Sequence, residues 1–202
     1  MENILYLASS SQSRKNLLQK ARIPFTIIEQ NADESLCDWN LPLQQLVESI
    51  AQYKMDHVIM PLAKKENEIT FVLTADTLSI DTQGNIRGKP KDMQEAIAML
   101  KAARGPNNRC GTAFCLEKKQ FKNNAWQTVK QIMGYAQATY EIDIPDTLME
   151  HYIVEAQTLK AAGAIKIEEG AQFVKSVHGS YTAIVGLAMF ELRCALMEIG
   201  FF

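Results

Sequence analysis

The chain has 202 residues, enough for folding to bury roughly 70% of the surface the unfolded form exposes, so no disulfide or metal staple is needed and one domain, or two closely joined lobes, is expected. Apolar residues are 47% and charged residues 22%, which excludes disorder and collagen-like repeats. With 21 Lys and Arg against 23 Asp and Glu, the net charge of -2 gives no overall attraction to a nucleic acid polymer, although a few local cations could still hold a small anion.

The apolar run Ile4–Ala8 reads as a buried strand ending in the polar turn Ser9-Ser10-Ser11. A short helix is expected over about Ser13–Ala21, then a strand at Phe25–Ile28. Leu43–Met60 is the clearest helix, because Leu43, Leu46, Val47, Ile50, Ala51 and Val58 follow the 3.6-residue period. Phe71–Ile80 reads as a strand that turns at Thr82–Asn85 and returns near Ile86. Asp92, with Glu95 three residues on, marks the start of a helix carrying Met93, Ala96, Ile97 and Leu100. Cys110–Glu117 and Thr128–Ile142 read as paired strands around a turn at Lys122–Asn124. Asp146–Glu155 is a helix, Phe173–Val177 and Tyr181–Val185 are short strands, and Leu187–Ile199 is a closing helix. Strands mixed with helices in this order indicate an α/β fold.

Cys37, Cys110, Cys115 and Cys194 are scattered, with no CxxC spacing and no histidine pattern for zinc. They read as reduced, mostly buried thiols of a cytoplasmic protein. Met1–Leu7 lacks the basic and apolar segments of a signal peptide. No apolar run approaches the 18 or so residues a spanning helix needs, so no membrane partner is expected.

Several residues stand where packing alone would not put them. Ser9, Ser11 and Ser13 lie between a strand and a helix, with Arg14 and Lys15 following at once. Cations in a first helical turn oppose the helix dipole by about 0.3–1 kcal/mol each. Hydroxyls, free N–H groups and two cations there fit an anion site; a serine cap with two solvated cations is the plainer reading. Lys54 falls on the apolar stripe of its helix, which calls either for an anionic partner or cleft, or for a side chain snorkelling at the stripe's edge. Asp76 interrupts the run Phe71–Ala75, on the strand face shared with Val72, Leu78 and Ile80. Burying it unpaired is expensive. Lys89 lies across the turn, where hairpin geometry brings it near Asp76: a structural pair, or an acid beside cations as in a metal-assisted hydrolase. Glu34, in a loop after Asp33, reads by itself as a surface acid. Gly179-Ser180-Tyr181 and Gly186-Leu187 read as turn and helix-entry chemistry.

Taken in order, these segments resemble the Maf family of nucleotide pyrophosphatases. The resemblance is carried by Leu7–Leu18 (family pattern L-A-S-x-S-P-x-R-R-x-x-L-L), Asp33-Glu34, Ala51–Met55 around Lys54, Ala75-Asp76-Thr77, Gly88-Lys89-Pro90, Ala162-Gly163-Ala164, and Gly179–Leu187. It spans almost the whole chain. It implies an elongated mixed β-sheet flanked by helices, as in inosine-triphosphatase-like proteins, forming a single domain of two lobes around a central cleft. It implies hydrolysis of a nucleoside triphosphate to the monophosphate and pyrophosphate, with Mg2+ or Mn2+, in house-cleaning of nucleotide pools. By the same resemblance Asp76 accepts the proton of the attacking water, Glu34 and Asp76 hold the metal, Arg14, Lys54 and Lys89 hold the triphosphate with Lys15 alongside, and Ser9 and Ser11 touch phosphate or sugar.

The chain departs from the family pattern at two places in the opening motif. Gln12 stands for the proline, and Lys15 stands for an arginine, keeping the charge without its bidentate fork. Asn108 replaces a common histidine and takes no catalytic role. Ser13, Thr77 and Glu168 occupy positions that separate a dTTP/UTP branch from a 7-methyl-GTP branch; Thr77 matches the first, Glu168 the second and Ser13 neither, so the base stays open. The resemblance admits a homodimer. The alternative activity is a nucleotide-binding regulator of septum formation with little turnover, because the opening motif is altered. Lys54, Asp76 and Lys89 favour turnover, since binding alone requires no acid among phosphate cations.

Overall fold

Residues 3–202 are described by the computed structural model. A seven-stranded mixed sheet runs in the order β2-β1-β3-β5-β6-β7, with β4 paired to β3. In chain order the elements are β1 (Leu5–Leu7), α1 (Gln12–Lys20), β2 (Phe25–Ile27), α2 (Leu43–Asp56), β3 (Ile69–Ile80), β4 (Ile86–Arg87), α3 (Met93–Ala103), β5 (Gly105–Lys122), β6 (Ala125–Ile142), α4 (Asp146–Glu155), β7 (Val174–Gly179), α5 (Tyr181–Val185) and α6 (Met189–Glu198). The chain divides into two compact units, Met1–Asp76 with Ala113–Tyr135 and Gly186–Phe202, and Thr77–Thr112 with Ala136–Val185.

In the first unit β1 lies between β2 and β3 and is parallel to both, with Leu5 level with Phe25 and Phe71. A parallel strand covered on both faces needs a continuous apolar run, and Leu5 and Leu7 are fully buried. Helix α2 buries Leu43, Leu46, Val47, Ile50, Ala51, Lys54 and Met55, the stripe that the 3.6-residue period marks out. Each fully buried aliphatic side chain there is worth about 1.5–3 kcal/mol. The helix stops at Asp56 rather than Met60. Pro61 disfavours a helical Met60, and Val58 instead bridges Gln30 while Ile59 N–H donates to the Glu29 carbonyl.

The β5–β6 hairpin is longer than the expected Cys110–Glu117 and Thr128–Ile142, because cross-strand pairs continue beyond the apolar core: Lys119 donates to Thr128 at 3.1 Å, and the rings of Phe121 and Trp126 meet edge to face at 5.5 Å. Its turn, Asn123-Asn124, has φ of +54° and +60°. Two left-handed residues form the tight turn that matches the twist of paired strands, and asparagine tolerates that geometry.

In the second unit β3 turns into β4 with Ser79 opposite Arg87. Asp81 fixes the turn by accepting from the N–H groups of Gln83 and Asn85, at 2.9 and 3.0 Å, and from Arg87. Asp92 caps α3 by accepting from Glu95 N–H at 2.8 Å, and Glu95 reaches back to Lys91 N–H. Helices α3 and α4 share a core with Ala96, Leu100, Met149 and Ile153 at its centre. Asn108 is buried and its amide donates to the carbonyls of Ala103 and Gly105, so it holds the end of α3.

Tyr181–Val185 is a helix, not the expected strand. Gly179, at φ +102°, ends β7. Ser180 then offers its hydroxyl to Ala183 N–H, the bond of a helix N-cap. Five residues rich in Thr, Ile and Val are too few for periodicity to separate the two states, so the cap decides.

Candidate active site

Strand β1 delivers Ser9 at its end, and α1 begins three residues later. Ser11 sits at the N-cap but makes no side-chain cap bond, so the plain serine-cap reading does not hold. Nor is Arg14 a solvated cation: it is 8% exposed, Nε donates to the Gly186 carbonyl at 2.8 Å and one terminal nitrogen donates to Ser9 Oγ at 3.1 Å. Burial pushes its guanidinium below the ordinary value, and the charges of Asp76 and then Glu34 oppose that. Ser9, Ser11, Ser13 and Lys15 are half-buried.

Two charged residues on apolar surfaces meet here. Asp76 and Thr74 lie on one face of β3, and Ala51 and Lys54 lie on the buried stripe of α2. Thr74 Oγ1 donates to the Ala51 carbonyl at 2.7 Å, which pins α2 over this strand face. Lys54 follows three helical positions on, about 4.5 Å along the axis, and its long stem closes the remaining gap to Asp76. Lys54 Nζ donates to Asp76 Oδ1 at 2.6 Å and stands 2.9 Å from Glu34 Oε1. Lys54 is 7% exposed and Asp76 5%, whereas the Glu34 side chain is 41% exposed. Solvent screens the Glu34 contact more, so Asp76 is the stronger partner. Asp76 Oδ2 is buried and has no hydrogen-bond partner.

Sequence reasoning identified Ser9, Arg14, Glu34, Lys54 and Asp76, and the first unit brings these five together. It missed two residues that position them. Thr74 carried a weak signal, a hydroxyl in a buried apolar run. Gly186 reads in the sequence only as turn and helix-entry chemistry, because its contribution to the site is a backbone carbonyl.

Ser11, Ser13 and Lys15 lie in the first unit, at the start of α1, and the other candidates, Thr77, Lys89 and Glu168, belong to the second. Thr77 is the half-buried exception in a strand otherwise buried from Thr70 to Ile80. Thr112 Oγ1 donates to the Ala183 carbonyl at 2.6 Å, so its single proton is spent and the 2.8 Å contact with Thr77 is a bond that Thr77 donates. Lys89 is exposed, two residues past the last paired residue of β4. Its neighbour Gly88 is tied by its carbonyl to the N–H of Gly163, at 2.9 Å. Glu168 is half-buried.

A buried acid with an unpartnered oxygen, held against a lysine and beside a buried arginine, on the segments quoted above, agrees with what a family model finds: the description "Maf-like protein" matches residues 4–199. The chain belongs to the Maf-like family. Relatives match it almost end to end. The "Nucleoside triphosphate pyrophosphatase" of Chlamydia pneumoniae is 32% identical over 97% of this chain and 94% of its own. A protein of the same name from Prochlorococcus marinus is 28% identical over 98% of both chains. The "dTTP/UTP pyrophosphatase" of Dechloromonas aromatica is 30% identical, again over 98% of both. As a Maf-like chain it has the mixed α/β sheet that its sequence predicts.

No group of three His, Cys, Asp or Glu side chains stands ready for a metal among the described residues. That does not disqualify a magnesium-type ion, which keeps several waters and leans on one or two carboxylates. Asp76 Oδ2, buried without a partner, and the second oxygen of half-exposed Glu34 are donors of that kind. The residues therefore fit such an ion. No helix among the described residues is long and apolar enough to cross a membrane.

Proposed function

We propose that this chain is a nucleoside triphosphate pyrophosphatase, acting on the bond between the α- and β-phosphates. The observation that carries the reading is the buried trio of Asp76, Lys54 and Arg14, with one oxygen of Asp76 left without a partner. A buried carboxylate oxygen without a partner is costly to keep, and an incoming ligand, a water or a cation, would supply that partner.

In the reaction, water attacks phosphorus, the α–β anhydride P–O bond breaks, and pyrophosphate leaves with the bonding electrons. Asp76, whose carboxylate is buried beside Lys54, orients the water and takes its proton. Arg14 and Lys54 neutralise charge that builds on the phosphates. Lys89 and Lys15, by resemblance, add cations, and Ser9 and Ser11 add hydroxyls. Asp76 and Glu34 would hold Mg2+ or Mn2+, which supplies Lewis-acid stabilisation of the phosphate oxygens when bound. Relatives named dTTP/UTP pyrophosphatase make uracil and thymine the first bases to test, with Ser13, Thr77 and Glu168 as the residues that would set the choice. We place the enzyme in the cytoplasm, on its four free thiols, and take the whole chain as a single domain of two lobes.

The test is pyrophosphate release with Mg2+ or Mn2+ from dTTP, UTP, CTP, GTP and 7-methyl-GTP. Asp76→Asn is expected to lose about 100- to 10,000-fold in rate while still binding nucleotide. A wild type that binds nucleotide and releases no pyrophosphate from any of the panel overturns the reading in favour of a regulator.

A further inference from the structure

The ammonium of Lys54 lies 2.6 Å from Asp76 Oδ1 and 2.9 Å from Glu34 Oε1. It thus bridges the same two carboxylates that a divalent cation would use. Arg14 and Lys54 together cancel Glu34 and Asp76, so the nucleotide-free cluster is neutral. A dication entering that cluster meets carboxylates already neutralised and leaves the buried site with a net double positive charge, which burial penalises heavily. On the pyrophosphatase reading, a triphosphate that enters without the metal and engages Lys54 draws it from Asp76, which leaves a buried carboxylate unpaired. Each ligand alone is opposed, and the two together are not: the metal replaces Lys54 on the carboxylates, and Lys54 turns to the phosphates.

We infer that Lys54 is an internal placeholder for the metal, and that its departure from Asp76 and Glu34 makes metal and nucleotide binding mutually dependent. The inference rests on the pyrophosphatase reading of this site. It gives Lys54 two duties: neutralising Asp76 and Glu34 and, in the complex, neutralising phosphate. It also assigns the unpartnered Asp76 Oδ2 as the oxygen first available to an incoming cation.

The test titrates Mn2+ into nucleotide-free protein and follows the free ion by electron paramagnetic resonance. Lys54→Gln removes the charge at similar length. It is expected to bind Mn2+ roughly tenfold to a hundredfold more tightly than wild type, the size of an ordinary coupling between sites. Lys54→Arg, which keeps the charge, stays as weak as wild type. Adding Glu34→Gln to the Lys54→Gln protein removes most of the gain. Lys54→Gln binding Mn2+ no more tightly than wild type overturns the inference. Removing Lys54 exposes Asp76 to an unpaired burial, so a second measurement uses wild type alone. The side-chain ammonium signal of Lys54, in protein labelled with 15N-lysine and assigned by its loss in Lys54→Arg, is expected to hold its position with Mg2+ alone and to shift when the α,β-methylene analogue of UTP is added with it. A shift of the same size with Mg2+ alone overturns the inference. Pyrophosphate release by wild type is measured separately: its absence sinks the pyrophosphatase reading, whereas turnover with no Mn2+ gain in Lys54→Gln sinks only the placeholder.

Discussion

Thr74 places the chemistry without taking part in it. Its hydroxyl donates to the Ala51 carbonyl at 2.7 Å inside the first unit, one helical turn from Lys54 and two strand residues from Asp76. Thr74→Val keeps the shape and loses the bond, leaving a buried face of α2 free to slide on β3. The expected cost is about 1 kcal/mol of stability together with a fall in kcat, and Thr74→Ser should restore both. Unchanged kcat in the Thr74→Val enzyme would mean that apolar packing alone fixes the register. Arg14 is placed in the same indirect way, by the Gly186 carbonyl and the Ser9 hydroxyl. The two bonds come from different nitrogens of one rigid plane, a geometry that the single ammonium of a lysine does not reproduce.

Turns and caps decide where elements begin and end in this chain. Asn123-Asn124, Ser180 and Asp92 each set a boundary through one or two local bonds or a left-handed φ. Asp81 is the strongest of these devices. Burial by itself raises its carboxyl, yet bonds from Asn85, Arg87 and Gln83 outweigh that and hold it below the usual carboxylate range. Both donating nitrogens of Arg87 converge on Oδ2, at 2.9 and 2.8 Å. A lowered folded value means that the ionised form favours the folded state. Its stabilisation is complete above the unfolded value of about 4 and is lost as pH falls through the folded one. Asp81→Asn should therefore melt below wild type at neutral pH, by about 1–3 kcal/mol, and the gap should close in acid. Melting curves at pH 7 and pH 3 measure it; a gap that is constant with pH would assign the effect to shape rather than charge.

For the molecule as a whole, folding sorts four chemically equal thiols into a graded series. Cys110 and Cys115 are buried, Cys37 is half-buried and Cys194 is exposed. Burial, then the charge of Glu117, pushes the Cys115 thiol up to about 12, and burial with Glu34 and Asp76 raises Cys37 as well. At pH 8 the Cys115 thiol therefore offers almost no reactive thiolate, and Cys37 offers less than an unshifted thiol would. Iodoacetamide at that pH should modify Cys194 first, Cys37 slowly, and Cys110 and Cys115 only in denaturant, as read by intact mass. Four rapid adducts on folded protein would contradict the burial described here.

Much of this was legible in the chain itself, because the signals were physical misfits. Lys54 on an apolar helical stripe and Asp76 in an apolar strand each announce a partner, since a lone buried charge is too costly to keep. Long periodic segments such as α2 and α3 were equally plain, and five-residue segments such as Tyr181–Val185 were not. The partners themselves were not written in either pattern. Lys89 is the lysine expected beside Asp76, and the ion pair formed is with Lys54, 22 residues away in sequence and joined by Glu34 from a short 3-10 helix, Glu34–Leu36. That choice depends on how α2 seats on β3, a register set by Thr74 and the apolar stripe and by nothing within the helix or the strand alone. The sequence states that a charge must be answered; packing selects which charge answers it.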